Sequence, residues 1–587
     1  MTYEKAPEVW DLPTKSPRSG VADPVMAQIY AEMTDAEIAQ LTGGAEVSHD
    51  PFELLGMEAA VNTITQALKE KRQMIAYGDF DCDGVSALSV LVFAFRSIGV
   101  DIEPYIPPRT DGYGLHAEPI AEFGKKYGDS CLISVDCGTS SDDVAAGRPK
   151  NMLMAITDHH LPQIRDGKEV LANAQALVNP KQERDQYPFD GLAGAGVAYK
   201  LVQALEMRGV FPKGTADSVV GFAAVGTIAD MMPLTDENRT IVKRGLEAIR
   251  LHKLPGVSAL MNLLKVKSDF NATKLQFTVI PCINSAGRMQ DAQLALNLFI
   301  APSEAAGQAS AEKLLALNNQ RKALQKEAIF QALQQVTNFP PETSAIVINS
   351  VDWPMNKDAE KASHIAGIVG LVAGRFADTY QLPAFVVSGN ELRGSSRSAG
   401  GVNVKQALEE VADLLEHYGG HEFAAGFTIK PGKYEEFKVA IDKAVRKQLN
   451  GPRERHLKIN AVLTGADLNA HLVERLRALE PFGQGNPKPR FAILNAKVIG
   501  VPRRFGYPTY AGGPKPHLDI TLRTDDNGWI HVVSFSDSRD ERALEGKRLD
   551  VCGAVEVDSY NNRLRMVADS SRPAQKLSSQ GIDGLAA

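Results

Sequence analysis

Cysteine is scarce. The 587 residues hold five, Cys82, Cys131, Cys137, Cys282 and Cys552, with no CxxC pair and no regular spacing. That excludes a regular disulfide framework and suits a reducing compartment. Cys82 and Cys137 stand beside acidic clusters, where a functional thiol competes with the commoner role of small buried filler. Long apolar runs are also missing. The longest near the front, residues 88–95, is too short to span a bilayer, and the first twenty residues lack the apolar core of a signal peptide. The expectation is a cytoplasmic protein with no membrane association. There is no internal repeat and no low-complexity tract. An overall basic surplus is absent too, since the net charge is −7, which argues against a wholly basic nucleic-acid coat. Its distribution is uneven. From Arg455 to Ser570 there are 17 Lys+Arg against 14 Asp+Glu, a local +3, so the remainder carries −10. The basic surplus falls in one C-terminal block.

What is present is an ordinary globular composition, 44% hydrophobic and 23% charged, in a chain long enough for roughly three to four domains. Residues 1–50 form an N-terminal extension with one expected helix over 24–41. From residue 51 the pattern alternates: helix over 54–71, strand, loop, helix over 85–98, then strand over 102–106. Such alternation predicts an α/β domain with a mainly parallel sheet, continuing to about residue 300. Residues 303–336 predict one long helix, within a connector placed at 301–340. A second α/β domain follows over 341–450, with strands at 344–349 and 384–388 and helices over 364–371 and 401–415. Short β-rich runs over 451–570 predict a small barrel or sandwich, and 571–587 form a tail.

Three apolar strands run into chemistry. Met74-Ile75-Ala76-Tyr77 leads to Gly78-Asp79-Phe80-Asp81-Cys82-Asp83-Gly84, Cys131-Leu132-Ile133-Ser134-Val135 to Asp136-Cys137-Gly138, and Met152-Leu153-Met154-Ala155-Ile156-Thr157 to Asp158-His159-His160. Ligands of open α/β sheets gather beyond the carboxyl ends of the strands, so the three ends predict one pocket. That many acids need cations to neutralise them, and the arrangement suggests a two-metal enzyme. Alternate residues of an extended segment face one side, which would present Asp79, Asp81 and Asp83 together, with Gly84 permitting a turn into a helix at Val85. An Asp-rich turn is the plain alternative. A calcium loop is excluded because its final glutamate is missing. A lone Asp in the place of Asp136 is usually a helix cap, and a structural pair is the lesser alternative for His159-His160. Asp230 emerges from the buried-looking run Gly221–Ala229 and needs a partner.

These four motifs, in this order, resemble the DHH phosphoesterase superfamily. Arg109-Thr110-Asp111-Gly112-Tyr113-Gly114, Asn284-Ser285-Ala286-Gly287-Arg288-Met289, Leu317-Asn318-Asn319-Gln320-Arg321, Gly394-Ser395-Ser396-Arg397-Ser398 and Gly419-Gly420-His421 narrow the resemblance to its single-strand-specific DNA exonucleases, over roughly residues 50–570. The resemblance implies a DHH domain, a DHH-associated domain and a C-terminal OB-fold. It implies two cations, Mn2+ or Mg2+. Asp81 and Asp136, with Asp79, would hold one. Asp83, Asp136, His159 and Asp230 would hold the other, with Asp136 bridging. Asp158 would orient the ligands, and His160 would face the scissile phosphate. A 5′ to 3′ polarity, work in repair and recombination, and cooperation with a single-strand-binding protein and a helicase follow from the same source. The two-lobed design needs no second copy, so a monomer is expected.

Cations roughly 3.5–4 Å apart suit phosphodiester hydrolysis, and phosphate oxygens need positive partners. Arg109, Arg288, Arg397 and His421 fit, being set in glycine-containing loops, although each alone could be a surface ion-pair residue. Asp136, His160 and His421 are the expected catalytic residues. Tyr113, Asn284, Arg321, Ser396 and Gly420 are expected to join Arg109, Arg288 and Arg397 in binding substrate. In the C-terminal block, basic and aromatic residues interleave, and residues 503–510 predict a strand-contacting loop through Arg503, Arg504 and Tyr507. A barrel core of aromatics with solvated cations explains the composition equally well. Two other functions remain open. One is a phosphodiesterase of the same superfamily acting on short oligonucleotides or cyclic dinucleotides. The other is a catalytically decayed DNA-binding replication factor, against which the full set of acids and histidines speaks.

Overall fold

The computed structural model describes residues 6–44, 46–289, 292–336, 339–340, 342–389, 392–449, 451, 453–506, 516–535, 537, 539–558 and 563–575, apart from the side chains of 110, 359 and 360. They divide into two units, the first drawn chiefly from Glu46–Pro452 and the second from Ala6–Ala45, Arg453–Phe482 and Pro487 onward.

The first unit opens with a five-stranded parallel sheet: β1 (Gln73–Tyr77), β2 (Glu103–Tyr105), β3 (Ser130–Val135), β4 (Met152–Thr157) and β5 (Ala176–Val178), in the order β2-β1-β3-β4-β5. The order reverses between β1 and β3, and the carboxyl ends of those two strands flank the crevice where such sheets bind ligands. Every residue of β3 is buried, as expected of a parallel sheet covered on both faces. Helices α1 (Cys82–Arg96), α2 (Gly194–Met207) and α3 (Thr215–Ala229) are buried along most of their length and share one apolar core with the sheet. Helices apolar nearly all round belong inside.

Helix α4 (Ile280–Arg288) follows one π-helical turn, Leu275–Val279. Helix α5 (Glu304–Val336) is unbroken, as expected from its run of strong helix formers. Its buried positions recur every three or four residues. Ala311 and Leu314 pack into the core of the first sheet, and Leu324, Ala328, Ala332 and Val336 into that of the second. The second sheet comprises β6 (Ile346–Asn349), β7 (Ala384–Ser388), β8 (Arg393–Arg397), β9 (Leu415–Gly420) and β10 (Ala424–Ile429), ordered β9-β10-β8-β7-β6, with only β6 and β7 parallel. Helix α6 (Ala359–Tyr380) contains the expected 364–371. The helix expected over 401–415 is shorter, Val404–Glu409, because the chain is already in β9 at Leu415.

In the second unit, β11 (Phe491–Val498), β13 (His517–Arg523), β14 (Trp529–Ser534), β15 (Arg548–Val557) and β16 (Leu564–Pro573) form a barrel that closes where Lys497 and Val498 of β11 pair with Arg523 and Leu522 of β13. Strand β12 (Arg503–Phe505) pairs with β13. The N-terminal residues belong to this unit. Glu8–Asp11 pairs in parallel with Arg455–Lys458, and Val25, Met26, Ile29 and Leu41 enter the barrel's core. The helix expected over 24–41 is two helices, Pro24–Tyr30 and Asp35–Thr42. Thr34 starts the second with a capping box to Glu37, which halts propagation from the first. No helix among the described residues is long and apolar enough to cross a membrane.

Candidate metal centre

Asp79 and Asp81 leave the end of β1, but strand alternation is not what gathers the acids. Asp81 is the N-cap of α1, its Oδ1 accepting from the amides of Asp83 at 2.8 Å and Gly84 at 3.1 Å, and Asp83 lies in the first helical turn. Gly84 is therefore not a turn residue. A methyl at that position would lie 2.5 Å from the Asp79 carbonyl oxygen. Asp136 follows β3 in a left-handed conformation, φ +61°, unusual for a non-glycine and characteristic of functional sites. Its amide donates to the Thr157 carbonyl at 3.0 Å, which registers it against the end of β4. Asp230 ends α3.

These residues meet. Three overlapping groups, Asp79/Asp81/Asp136, Asp83/His159/Asp230 and Asp136/His159/His160, each bring three ligand atoms within 4.8 Å of one another. His159 Nε2 lies 3.1 Å from Asp136 Oδ1, 3.6 Å from Asp230 Oδ2 and 3.8 Å from Asp83 Oδ2. Asp79 Oδ1, Asp136 Oδ1 and His159 Nε2 are buried and make no hydrogen bond. Orphaned buried acceptors of this kind need a partner, and a divalent cation bound by carboxylate oxygens and imidazole fits the donor set.

The electrostatics agree. Burial raises Asp79 and Asp230 to about 7, with Asp81 adding repulsion in both cases. Burial and the neighbouring acids push Asp83 and Asp136 well above the carboxylate range, and burial pushes His159 well below the usual imidazole value. Bound cations invert this logic, favouring ionised acids and a neutral imidazole. Two glycines on the surrounding helices make room. A methyl on Gly194 would lie 2.4 Å from Asp136 Oδ1, and one on Gly226 2.4 Å from Asp83 Oδ1. Asp83 also accepts from the amides of Gly194 at 2.8 Å and Ala195 at 3.0 Å, at the start of α2, where backbone donors and the helix dipole favour an anion.

Asp158 is in none of the three ligand groups, and both of its oxygens are hydrogen-bonded. Its Oδ1 accepts from the His159 amide at 2.8 Å, the His160 amide at 3.2 Å and His160 Nδ1 at 2.8 Å, and its Oδ2 accepts from the Thr139 amide at 3.0 Å. Burial disfavours charge on both partners. The hydrogen bond and mutual attraction outweigh it, holding Asp158 below the usual range and His160 up at about 9. Tyr113 reaches the same His160 nitrogen at 2.7 Å. His421, on the turn between β9 and β10, stands with its ring 6.5 Å from that of His160. Burial and the positive His160 lower its pKa.

Beside the acids opens a cleft of about 800 Å³ lined by Arg109, Tyr113, Arg288, Ser395 and Tyr418 among others. Arg288 is pushed down to about 9 by burial and by Arg109, Arg397 and Arg321, and Arg397 is lowered by burial and by Arg109. Guanidiniums crowded in this way call for an anion, and phosphate matches their fork of donors. Arg288 also donates to the Gly367 carbonyl at 3.1 Å.

Several expected substrate contacts point elsewhere. Ser396 is fully buried and donates its hydroxyl to the Ala425 carbonyl. Strand alternation turns it inward, and its neighbour Ser395 lines the cleft. Asn284 accepts the Cys82 amide at 2.9 Å and so braces the acidic loop. Arg321 is buried against Asn318 and Gln325 on its own helix, reaching Arg288 only through its charge. Gly420 belongs to the β9–β10 pairing, where a methyl would meet Ala424 and Ala425. In the barrel, Arg504 is tied to Glu541 and the Arg539 carbonyl, while Arg503 is exposed beside Asp519 and over the Phe505 ring. Both sit on β12 rather than in a loop, and Tyr507 lies outside the described residues. Ser395, Gly194 and Gly226 were not among the expected site residues. The small-residue run Leu192-Ala193-Gly194-Ala195-Gly196 signals a close approach.

Comparisons with known proteins match three stretches of the chain. The DHH family, N-terminal domain, matches residues 73–227, the DHHA1 domain residues 357–447 and the RecJ OB domain residues 459–568. The single-stranded-DNA-specific exonuclease RecJ of Bacillus subtilis is 30% identical over 89% of this chain, which spans 64% of that relative's length. The protein of the same name from Thermus thermophilus is 30% identical over 84% of this chain and 72% of its own. The crystal structure of RecJ from Thermus thermophilus in complex with Mn2+ superposes with a TM-score of 0.77 at 26% identity, covering 94% of this chain and 76% of that one. Its complex with Mg2+ gives 0.71 at 25% identity, covering 94% and 75%. By this extent of identity and coverage, the chain belongs to the RecJ family.

Proposed function

We propose that the protein is an exonuclease that hydrolyses phosphodiester bonds of single-stranded DNA from the 5′ end, in DNA repair and recombination. The observation that carries this reading is the convergence of Asp79, Asp81, Asp83, Asp136, His159 and Asp230 beside an arginine-lined cleft. Those six residues would hold two Mn2+ or Mg2+ ions, Asp136 serving both. Bound there, the cations would supply an activated water and neutralise charge on the phosphate. The family members named above act on single-stranded DNA, and one binds Mn2+ and Mg2+.

The chain's own groups do the rest. Arg109, Arg288 and Arg397 grip the terminal phosphate and so fix which end of the strand enters. Asp158 holds His160 positively charged, its Nδ1 engaged and its other ring nitrogen free to donate to a non-bridging phosphate oxygen. His421, kept neutral across from it, accepts a proton or a hydrogen bond. The barrel retains the rest of the strand, with Arg503 and Phe505 as contacts. The five cysteines are all free and buried, which suits the cytoplasm. We take the protein to act as a monomer, with a single-strand-binding protein and a helicase delivering substrate. Digestion of a strand labelled separately at each end, in Mn2+, Mg2+ and chelator, tests the reading. Early release of the 5′ label with either metal, and none with chelator, is expected; early release of the 3′ label, or metal-independent cleavage, would refute it.

A further inference from the structure

Lys181 is a cation that the motifs leave unexplained. It follows β5 in a loop fastened to the same edge of the sheet as the histidines. Asn179 Nδ2 donates to the His160 carbonyl and to Thr139 Oγ1, both at 2.8 Å, and Asn179 Oδ1 accepts the Lys181 amide at 2.9 Å. Gln182 closes the loop by donating to the Asn179 carbonyl at 3.1 Å. Thr139 gives its own amide to Asp158, so the framework that fixes His160 also fixes the Lys181 backbone.

Lys181 is half-buried, and among the described residues its ammonium has no ion-pair partner. Its charge nonetheless bears on His159, Asp230 and His421, which come from three different elements. The arginines bear on other acids: Arg109 on Asp79 and Asp81, and Arg288 on Asp81. The sheet order gives the centre two cationic flanks: Arg109 follows β2 at one edge, Lys181 follows β5 at the other, and the acids and histidines after β1, β3 and β4 lie between. An ammonium anchored through its backbone and left without a protein counter-ion is open to an incoming anion. An anionic polymer held at one flank and cleaved between the two would bring its next charge to the other.

We propose that Lys181 receives the phosphate next beyond the scissile bond, on the side away from the arginine cleft. This rests on the exonuclease reading. The residue type suits the position. A lysine is a point charge on a flexible stem and tolerates a strand that advances after each cut, whereas a guanidinium fork fixes a terminal group.

The test compares 5′-phosphorylated di- and trinucleotides as substrates of the full-length protein with Mn2+. The dinucleotide carries only the terminal and scissile phosphates; the trinucleotide adds the one assigned to Lys181. Lys181→Gln should raise KM for the trinucleotide by about tenfold more than for the dinucleotide, and Lys181→Arg should restore most of the difference. On longer strands, the slope of log kcat/KM against log salt should become shallower by about 0.7 in Lys181→Gln. An equal loss on both oligonucleotides, or no loss on either, would overturn the assignment. A wild-type protein that degrades neither oligonucleotides nor longer strands would overturn the exonuclease reading and this proposal with it.

Discussion

Gly194 and Asp136 share one space: a methyl group added to the glycine would lie 2.4 Å from the carboxylate oxygen. The glycine amide also binds Asp83, so one residue of α2 touches two expected metal ligands. Gly194→Ala should therefore displace Asp136 and weaken metal binding by about 10- to 100-fold, the usual effect of disturbing a ligand's support. Calorimetric Mn2+ titration reads this directly, and unaltered affinity would contradict the packing argument.

Asp136 belongs to two of the three ligand groups. Asp136→Ala should lower hydrolysis by about 10³-fold or more while leaving single-strand binding within a few-fold, because the arginine cleft and barrel remain. Near-normal turnover in saturating Mn2+ would remove Asp136 from its bridging place.

Arg288 lines the cleft together with Arg109 and feels the charges of Arg397 and Asp81. Loss of one charged phosphate contact costs about tenfold or more, so Arg288→Ala should raise KM by that factor with a smaller change in kcat. Activity unchanged at every substrate concentration would exclude the contact.

Metal binding should depend on pH in a defined sense. In the metal-free protein Asp79 and Asp230 are raised to about 7 by burial and by Asp81, against about 4 for an unfolded aspartate. Their contribution to stability is complete below about pH 4 and is lost as pH rises toward 7. Cations require the ionised forms and must displace those protons. The rise in Tm on adding Mn2+ should therefore grow between about pH 5.5 and 8. A constant increment across that interval would contradict the burial of these acids.

Away from the site, Lys200 is fully buried, its ammonium 3.0 Å from Glu237 and 2.6 Å from the His49 carbonyl, while Glu237 also accepts the Tyr187 hydroxyl at 2.6 Å. Lys200→Met leaves Glu237 buried without its cation and should cost about 3–5 kcal/mol in urea unfolding. Lys200→Met with Glu237→Leu should recover part of that; equal losses would place the cost in packing instead.

The sheet and the acids were legible because each is written locally. A buried parallel strand shows as an apolar run, and an acid or histidine at its end breaks that run at the ligand-binding edge. The long helix was legible from composition, which suits 304–336 with no breaker after Gly307. Direction was less accessible. Ser396 and Ser395 are adjacent in one motif, and only the register of β8 against β10 decides which faces the cleft. Arg321 and Asn284 have the chemistry of substrate contacts, yet the tertiary packing turns one onto its own helix and the other under the acidic loop. Lys181 was invisible because an isolated lysine in a loop resembles any solvated charge until the fold ties its backbone, through Asn179, to His160. The paired helices over 24–42 were read as one because the capping box at Thr34 lies inside an otherwise continuous pattern.

The central claim is that side chains from four separate segments hold two divalent cations. Anomalous diffraction from crystals soaked in Mn2+ tests it most directly. Two peaks about 3.5–4 Å apart, with Asp136 between them and Asp79, Asp81, Asp83, His159 and Asp230 around them, are expected. A single peak elsewhere, or none among these residues, would contradict it.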